Sequence, residues 1–369
     1  MKLPPYLVPL WAKWQAEPSA RMHSVVCHLL DVMHVADELW RTALGDGMRQ
    51  QFAAGIDLPV DDARRWIAFW VGAHDLGKVS PVFQRKVTDA IPALRAAGFE
   101  FSTTVDESIS HGEVSAVELS RLLKSEHGLP KSVARQVAQA VGGHHGRFIV
   151  ARRATELGKR LDSGIDDELD DIGGGLWADA RRDVLRVLAS MANLPNGGKW
   201  DGIETHPSTN WLLTLAGLTT VADWMGSMSE YFEMAGPIED LSEYLPLSRK
   251  RAEQVVREVG WSGWQAPRVA RSPEMLFPIV RRYGLRPLQI AVEEIKPSLR
   301  QPSLVLIEAP MGEGKTEAAL HLLEGWAADG AARGFYLALP TQATANQMHG
   351  RVVDFLRNAF TAPIVWAKT

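Results

Sequence analysis

From about residue 19 to 235 the chain repeats apolar residues every three to four positions, with almost no strand signal. The runs "SVVCHLLDVMHVADELWRTAL", "DDARRWIAFWVGAH", "HGEVSAVELSRLLK", "KSVARQVAQAVGGHH", "ARRDVLRVLASMANL" and "STNWLLTLAGLTTVADWMGSMSEYF" all carry this period. It lines apolar side chains along one face of a helix, so residues 1–240 are expected to fold as an all-α domain. The acidic, glycine-rich run "LDSGIDDELDDIGGG" (161–175) lacks the period and reads as a surface loop. No internal repeat is present.

The texture changes after residue 240. The proline-punctuated, charged stretch 241–275 contains one short helix, "LSRKRAEQVVREVG", and reads as a linker. In 276–369, "PSLVLIEAP" and "GFYLALPT" are strand candidates separated by the helix "GKTEAALHLLEGWAADG". Such a βαβ unit implies parallel strands, hence a partial α/β domain. A third apolar run, "APIVWA", begins just before Thr369.

A length of 369 residues suits about two domains, and 46% hydrophobic with 23% charged residues is an ordinary soluble composition. The formal charge of −4 excludes a uniformly basic nucleic-acid coat, though not a local basic groove. The N-terminus "MKLPPYLVPLWAKW" is interrupted by prolines and charge, and nowhere do about 18 uncharged apolar residues run together. A cytoplasmic protein with no membrane partner is expected. Its one cysteine, Cys27, rules out an intramolecular disulfide and a thiolate zinc site. Any metal must be held by histidine and carboxylate.

Ala309 to Thr316, "APMGEGKT", fits a phosphate loop with Ala in place of the first glycine. Gly312 and Gly314 let backbone N–H groups close around a polyphosphate, Lys315 reaches its β and γ groups, and Thr316 can ligate magnesium. The adjacent Asp-Glu pairs, at 37, 106 and 167, all lie upstream, and none follows Lys315. Hydrolysis needs such an acid downstream, so the lobe looks cut off and ATP turnover is expected to be weak or absent. "RPLQ" (Arg286 to Gln289) is similar to the adenine-reading segment of superfamily 2 helicases, and "PTQATANQM" (340–348) to their strand-contacting segment.

The stretch "VGAHDLGKVSPVFQ" (71–84) sets His74 beside Asp75 at the end of an apolar run. Alone it describes a buried histidine next to a helix-stop aspartate. Other donors share the helical region, however. His28 lies in the first long helix, where it competes with His23 and His34 and is preferred because the neighbouring apolar spacing faces it inward. His111 follows Ser110, whose spacing to Glu113 is that of a capping box, placing His111 in a helical first turn. His144 and His145 sit in "GGHHG", where a helix stops and neighbouring side chains can converge. Asp223 lies on an otherwise apolar helix that would bury its carboxylate without a partner. Lys78 either binds a substrate phosphate or covers the acidic site. His127, His206, His321 and His349 have no such setting.

Five histidines and two aspartates suit manganese, iron, cobalt, nickel or zinc better than calcium. They exceed what one tetrahedral ion needs, and a bridging Asp75 would hold two ions. Two such ions can activate water and stabilise both attacking and leaving oxygens of a phosphodiester.

Taken in order, "HDLGK" with its outlying histidines, "RPLQ", "APMGEGKT" and "PTQATANQM" resemble the HD nuclease-helicases of type I CRISPR interference over nearly the whole chain. The resemblance implies an all-α HD domain that cuts single-stranded DNA, followed by a partial α/β RecA-like P-loop lobe, with recruitment by the Cascade surveillance complex. It implies a first metal at His28, His74, Asp75 and Asp223 and a second at Asp75, His111, His144 and His145, with His74, Asp75 and Lys78 in the catalytic set. It further implies ATP and magnesium at Gln289, Gly312, Gly314, Lys315 and Thr316, and 3′ to 5′ translocation that feeds the nuclease. The sequence departs from the family pattern by ending inside the first lobe, without the Asp-Glu box, the second lobe, its arginine fingers or the C-terminal domain. Two alternatives stay open: an HD-type nucleotide phosphohydrolase, and a recruitment or regulatory fragment that does not cleave.

Overall fold

Helix α1 (Val25–Glu38) explains the architecture: every residue from Val25 to Ala36 is buried. A helix apolar on nearly all sides must lie inside the protein. The computed structural model describes residues 1–16, 21–101, 109–149, 154–157, 172–262, 270–299, 303–329, 335, 337–339 and 341–360. The chain divides into two compact units, Met1–Ser262 and Gly263–Thr369.

In the first unit α1 is wrapped by later helices. After α2 (Asp46–Ala54) come α3 (Val60–Gly72), α4 (His111–His127), α5 (Lys131–Gly142), α6 (Leu176–Ala192), α7 (Thr209–Gly226) and α8 (Tyr244–Glu258). α3, α7 and α8 pack directly on α1, and α4 packs along α5. One continuous apolar core runs through α1, α3, α5, α6 and α7, including Trp66, Trp70, Val137, Val184 and Leu215. Cys27 is buried in α1, and burial pushes its thiol pKa up.

The sequence expectation differs from the structure in several places. β1 (Trp11–Gln15) and β2 (Arg21–Ser24) form an antiparallel ribbon before α1. Runs of five and four residues are too short for strand alternation to stand out against a helical background. The stretch expected as a linker, 241–275, contains α8, which buries Tyr244, Ser248, Ala252, Val255 and Val256 against the first unit. Of the acidic run 161–175, all but its last residues lie outside the described residues. No helix among the described residues is long and apolar enough to cross a membrane.

The second unit contains α9 (Pro287–Ile295), α10 (Lys315–Ala328) and α11 (Gln342–Ala359). Leu276, Phe277, Leu320 and Phe355 form one apolar cluster, and Val292, Ala318 and Leu322 another. The strand expected at 302–310 does not form among the described residues: 303–310 has no ladder partner, and Leu304 is 98% exposed. A parallel strand exists only through its neighbours. Of those, 334–341 is only partly described and "APIVWA" lies outside the described residues.

Candidate metal centre

α3 ends at Gly72, and the chain turns through Ala73 so that His74 and Asp75 follow the helix terminus. His74 Nδ1–H donates to the Val71 carbonyl at 3.0 Å, which fixes the ring at the end of α3. His144, beyond the end of α5, repeats this device with the Val141 carbonyl at 2.8 Å. In each ring the bonded Nδ1 leaves the Nε2 lone pair for another purpose. His111 opens α4, whose capping box is formed: Ser110 Oγ accepts from Glu113 N, and Ser110 N donates to Glu113 Oε2.

Glycines allow these termini to meet. A Cβ on Gly77 would lie 2.0 Å from the His111 carbonyl oxygen, and one on Gly112 would lie 2.8 Å from that of Gly142. Side chains at these positions would push apart the turn carrying Asp75, the start of α4 and the end of α5.

Two donor groups result. His28, His74, Asp75 and Asp223 are buried and offer ligand atoms within 4.8 Å of one another, as do His111, His144 and His145. Asp75 joins the groups with one oxygen each way. Its Oδ2 is 3.4 Å from both His28 Nε2 and His74 Nε2, while its Oδ1 is 3.3 Å from His111 Nε2 and 3.5 Å from His144 Nε2. Asp223 Oδ1 closes the first group at 3.4 Å from His74 and 3.6 Å from His28. Lys78 Nζ rests 2.7 Å from Asp75 Oδ2. His145 is exposed, which leaves the second group open on one side.

The residues fit divalent metal. Both ring nitrogens of His28, Nε2 of His74, His111 and His144, and Asp75 Oδ1 are buried without a hydrogen-bond partner. Such atoms are costly unless something satisfies them. Two donors each about 2.1 Å from one tetrahedral ion stand about 3.4 Å apart, which matches the gaps here.

The electrostatics agree. Burial raises the Asp75 carboxyl, but Lys78 and then His74 outweigh it and hold the pKa well below the usual range. Burial, His74 and His28 act on Asp223 in the same way, and the net shift is downward. Burial holds His28 well below its ordinary value, and holds His144 at about 4. His74 is the exception: burial lowers it, yet Asp75 and Asp223 together push it up to about 9. His74 would have to give up that proton to serve as a metal ligand, since a ligand imidazole is neutral.

Of the other histidines on or beside α1, His23 Nε2 donates to Asp31 Oδ2 at 2.9 Å, and His34 Nδ1–H donates to Ser248 Oγ at 2.8 Å. Asp31 also accepts from Tyr244 Oη and Ser248 Oγ. This buried network ties α1 to α8, and the sequence reading did not single out Asp31.

In the second unit Gln289, Gly312, Gly314, Lys315 and Thr316 line one cavity with Arg286 and Tyr283. Gly312 and Gly314 have φ of 87° and 79°, and Lys315 Nζ donates to the carbonyls of Ala309 and Pro310.

Comparison with known proteins agrees with this geometry. The family described as "Cas3, HD domain" matches residues 11–232. The CRISPR-associated endonuclease/helicase Cas3 of Thermus thermophilus is 34% identical over 354 residues, 94% of this chain and 35% of that relative. The chain thus spans about a third of the length of that curated relative. A crystal structure of a CRISPR-associated protein is 36% identical with a TM-score of 0.71, over 96% of this chain and 38% of that one. The Thermus thermophilus cas3 HD domain, solved in the presence of Ni2+, is 26% identical with a TM-score of 0.50, over 73% of this chain and 95% of that one. A chain of a CRISPR RNA-guided surveillance complex, pre-nicking, is 28% identical with a TM-score of 0.56, over 93% of this chain and 38% of that one. The family match takes in all seven donor residues and most of the first unit, and this chain belongs to the Cas3 HD-domain family.

Proposed function

We propose that the first unit is a metal-dependent nuclease that hydrolyses phosphodiester bonds of single-stranded DNA, using two divalent transition-metal ions. The observation that carries this reading is Asp75, which turns one carboxylate oxygen to each donor group. His28, His74, Asp75 and Asp223 would hold one ion, and Asp75, His111, His144 and His145 the other. When bound, two such ions supply Lewis acidity on both sides of a phosphodiester and acidify an attacking water. Imidazole and carboxylate donors favour iron, manganese, nickel or cobalt over calcium. The solved relative crystallised with Ni2+ supports the same class.

The protein's own residues do the rest. The buried His28, His74 and Asp223 close the floor and exclude bulk water, which leaves the His111 and His145 side for the substrate strand. Lys78 neutralises part of the carboxylate charge that would repel a phosphate, and its ammonium is within reach of one. In the second unit, Gln289, Gly312, Gly314, Lys315 and Thr316 are the ATP contacts of a partial RecA-like lobe, with magnesium at Thr316. Recruitment by a Cascade-type surveillance complex is supported by the likeness to a chain of such an assembly.

The test measures metal content and cleavage of a single-stranded oligonucleotide together, in wild type and Asp75→Ala, beside a panel of free nucleotides. Cutting retained by Asp75→Ala in manganese sinks the two-metal reading. Hydrolysis of nucleotides but not of DNA selects an HD phosphohydrolase, and a metal-free wild type selects a binding fragment.

A further inference from the structure

In the β1–β2 ribbon Lys13 stands directly across from His23. Directly opposed residues of an antiparallel pair project from the same face. On that face His23 is buried, bonded to Asp31, with its ring centroid 6.4 Å from that of His28. The half-buried Lys13 side chain is therefore directed to the ribbon side of the donor cluster. Its ammonium feels Asp223, Asp31 and Asp75, while burial first and Lys78 second bring its pKa down to about 8.

The two lysines at the centre differ in one respect. Lys78 is matched by Asp75 at 2.7 Å, whereas Lys13 forms no hydrogen bond or ion pair among the described residues. An ammonium that has lost part of its water without gaining an acid is unfavourable until an anion arrives. The metal donors are accounted for without it, and its position beside them suits the charge of a nucleic-acid backbone.

We infer that Lys13 is a substrate-binding residue of this centre, holding through its ammonium a backbone phosphate of the single strand next to the one that is cut. This rests on the nuclease reading above. One phosphate contact on a single strand contributes about 0.7 to the slope of log affinity against log salt. That readout does not move when a residue is merely structural.

The experiment uses the full 369-residue chain and a fluorescein-labelled oligodeoxythymidine. It measures the salt dependence of binding by anisotropy, the KM and kcat of manganese-dependent cleavage, and bound manganese, for wild type, Lys13→Met, Lys13→Gln and Lys13→Arg. In the Met and Gln variants the salt slope is expected to fall by about 0.7. KM should rise about tenfold, more than kcat falls, as one charge-assisted contact is lost. Metal content should be unchanged, and Lys13→Arg should keep the slope. The two neutral variants differ in polarity, so a folding defect in one leaves the other to read. A wild-type slope and KM in both neutral variants, or loss of manganese from them, overturns the assignment alone. A wild type that neither binds nor cuts the oligonucleotide removes the nuclease reading, and this assignment with it.

Discussion

Arg181 Nε donates to Glu118 Oε2 at 2.8 Å with both side chains buried, joining α6 to α4. The remaining guanidinium donors reach the carbonyls of Val79, Ile172 and Gly173. Val79 follows Lys78 directly, so this pair braces the turn that carries His74 and Asp75.

Removing Arg181 leaves Glu118 with Arg121 alone, a half-exposed partner at 3.0 Å, and takes the donor from three carbonyls. Arg181→Met should therefore destabilise the protein by about 3 kcal/mol in urea unfolding. Arg181→Met with Glu118→Leu should recover a large part of that loss. A single variant within about 0.5 kcal/mol of wild type would show that the brace contributes nothing.

The two donor groups predict a stoichiometry. Elemental analysis should find two transition-metal ions per chain, and His145→Ala should lose the one held by the open group. Adding manganese should raise the melting temperature of wild type, since a ligand at about 100 times its Kd stabilises by about 2.7 kcal/mol. Asp75→Ala should lose nearly all of that rise, because it serves both groups.

His34 gives a pH dependence that is separate from the centre. Burial first, then Arg249, hold its folded pKa at about 3 against an ordinary 6.5. Between those values the unfolded chain takes up a proton that the folded chain refuses. His34's contribution is thus fully present above pH 6.5 and is lost progressively as pH falls towards 3. His34→Asn, whose amide can still donate to Ser248, should make melting temperature decline less steeply across that window. An identical slope would show that His34 does not stay neutral in the folded protein.

In the second unit, Lys315→Ala should weaken binding of a fluorescent ATP analogue by tenfold or so, as one charge-assisted contact is lost. The same variant should leave manganese content at the first unit as it is. Unchanged nucleotide affinity would count against the phosphate loop.

The positions of His74, His111, His144 and His145 were legible because each sits at a helix end, and helix ends have readable signals in capping residues and glycines. The choice of His28 over His23 and His34 rested on the apolar spacing around it, and period alone does not separate the three. His23 lies in β2, ahead of the helix; on α1, buried all round, every face is an inner face, and only tertiary partners separate His34, with one ring nitrogen bonded to Ser248, from His28, with both open. Tyr244 and Ser248, which satisfy Asp31, arrive from more than two hundred residues away, so no local pattern announces them. The ribbon escaped notice because its register is irregular between Trp11 and Lys13 and its strands are short.

The burial of Cys27 has a practical use. A thiol that is sealed in α1 and held protonated will not take a maleimide while the chain is folded. Because it is the sole cysteine, the native sequence already serves as a blank background for site-specific labelling. A cysteine introduced at exposed Trp224, beside Asp223, would then carry the only dye and could report on whatever approaches the centre.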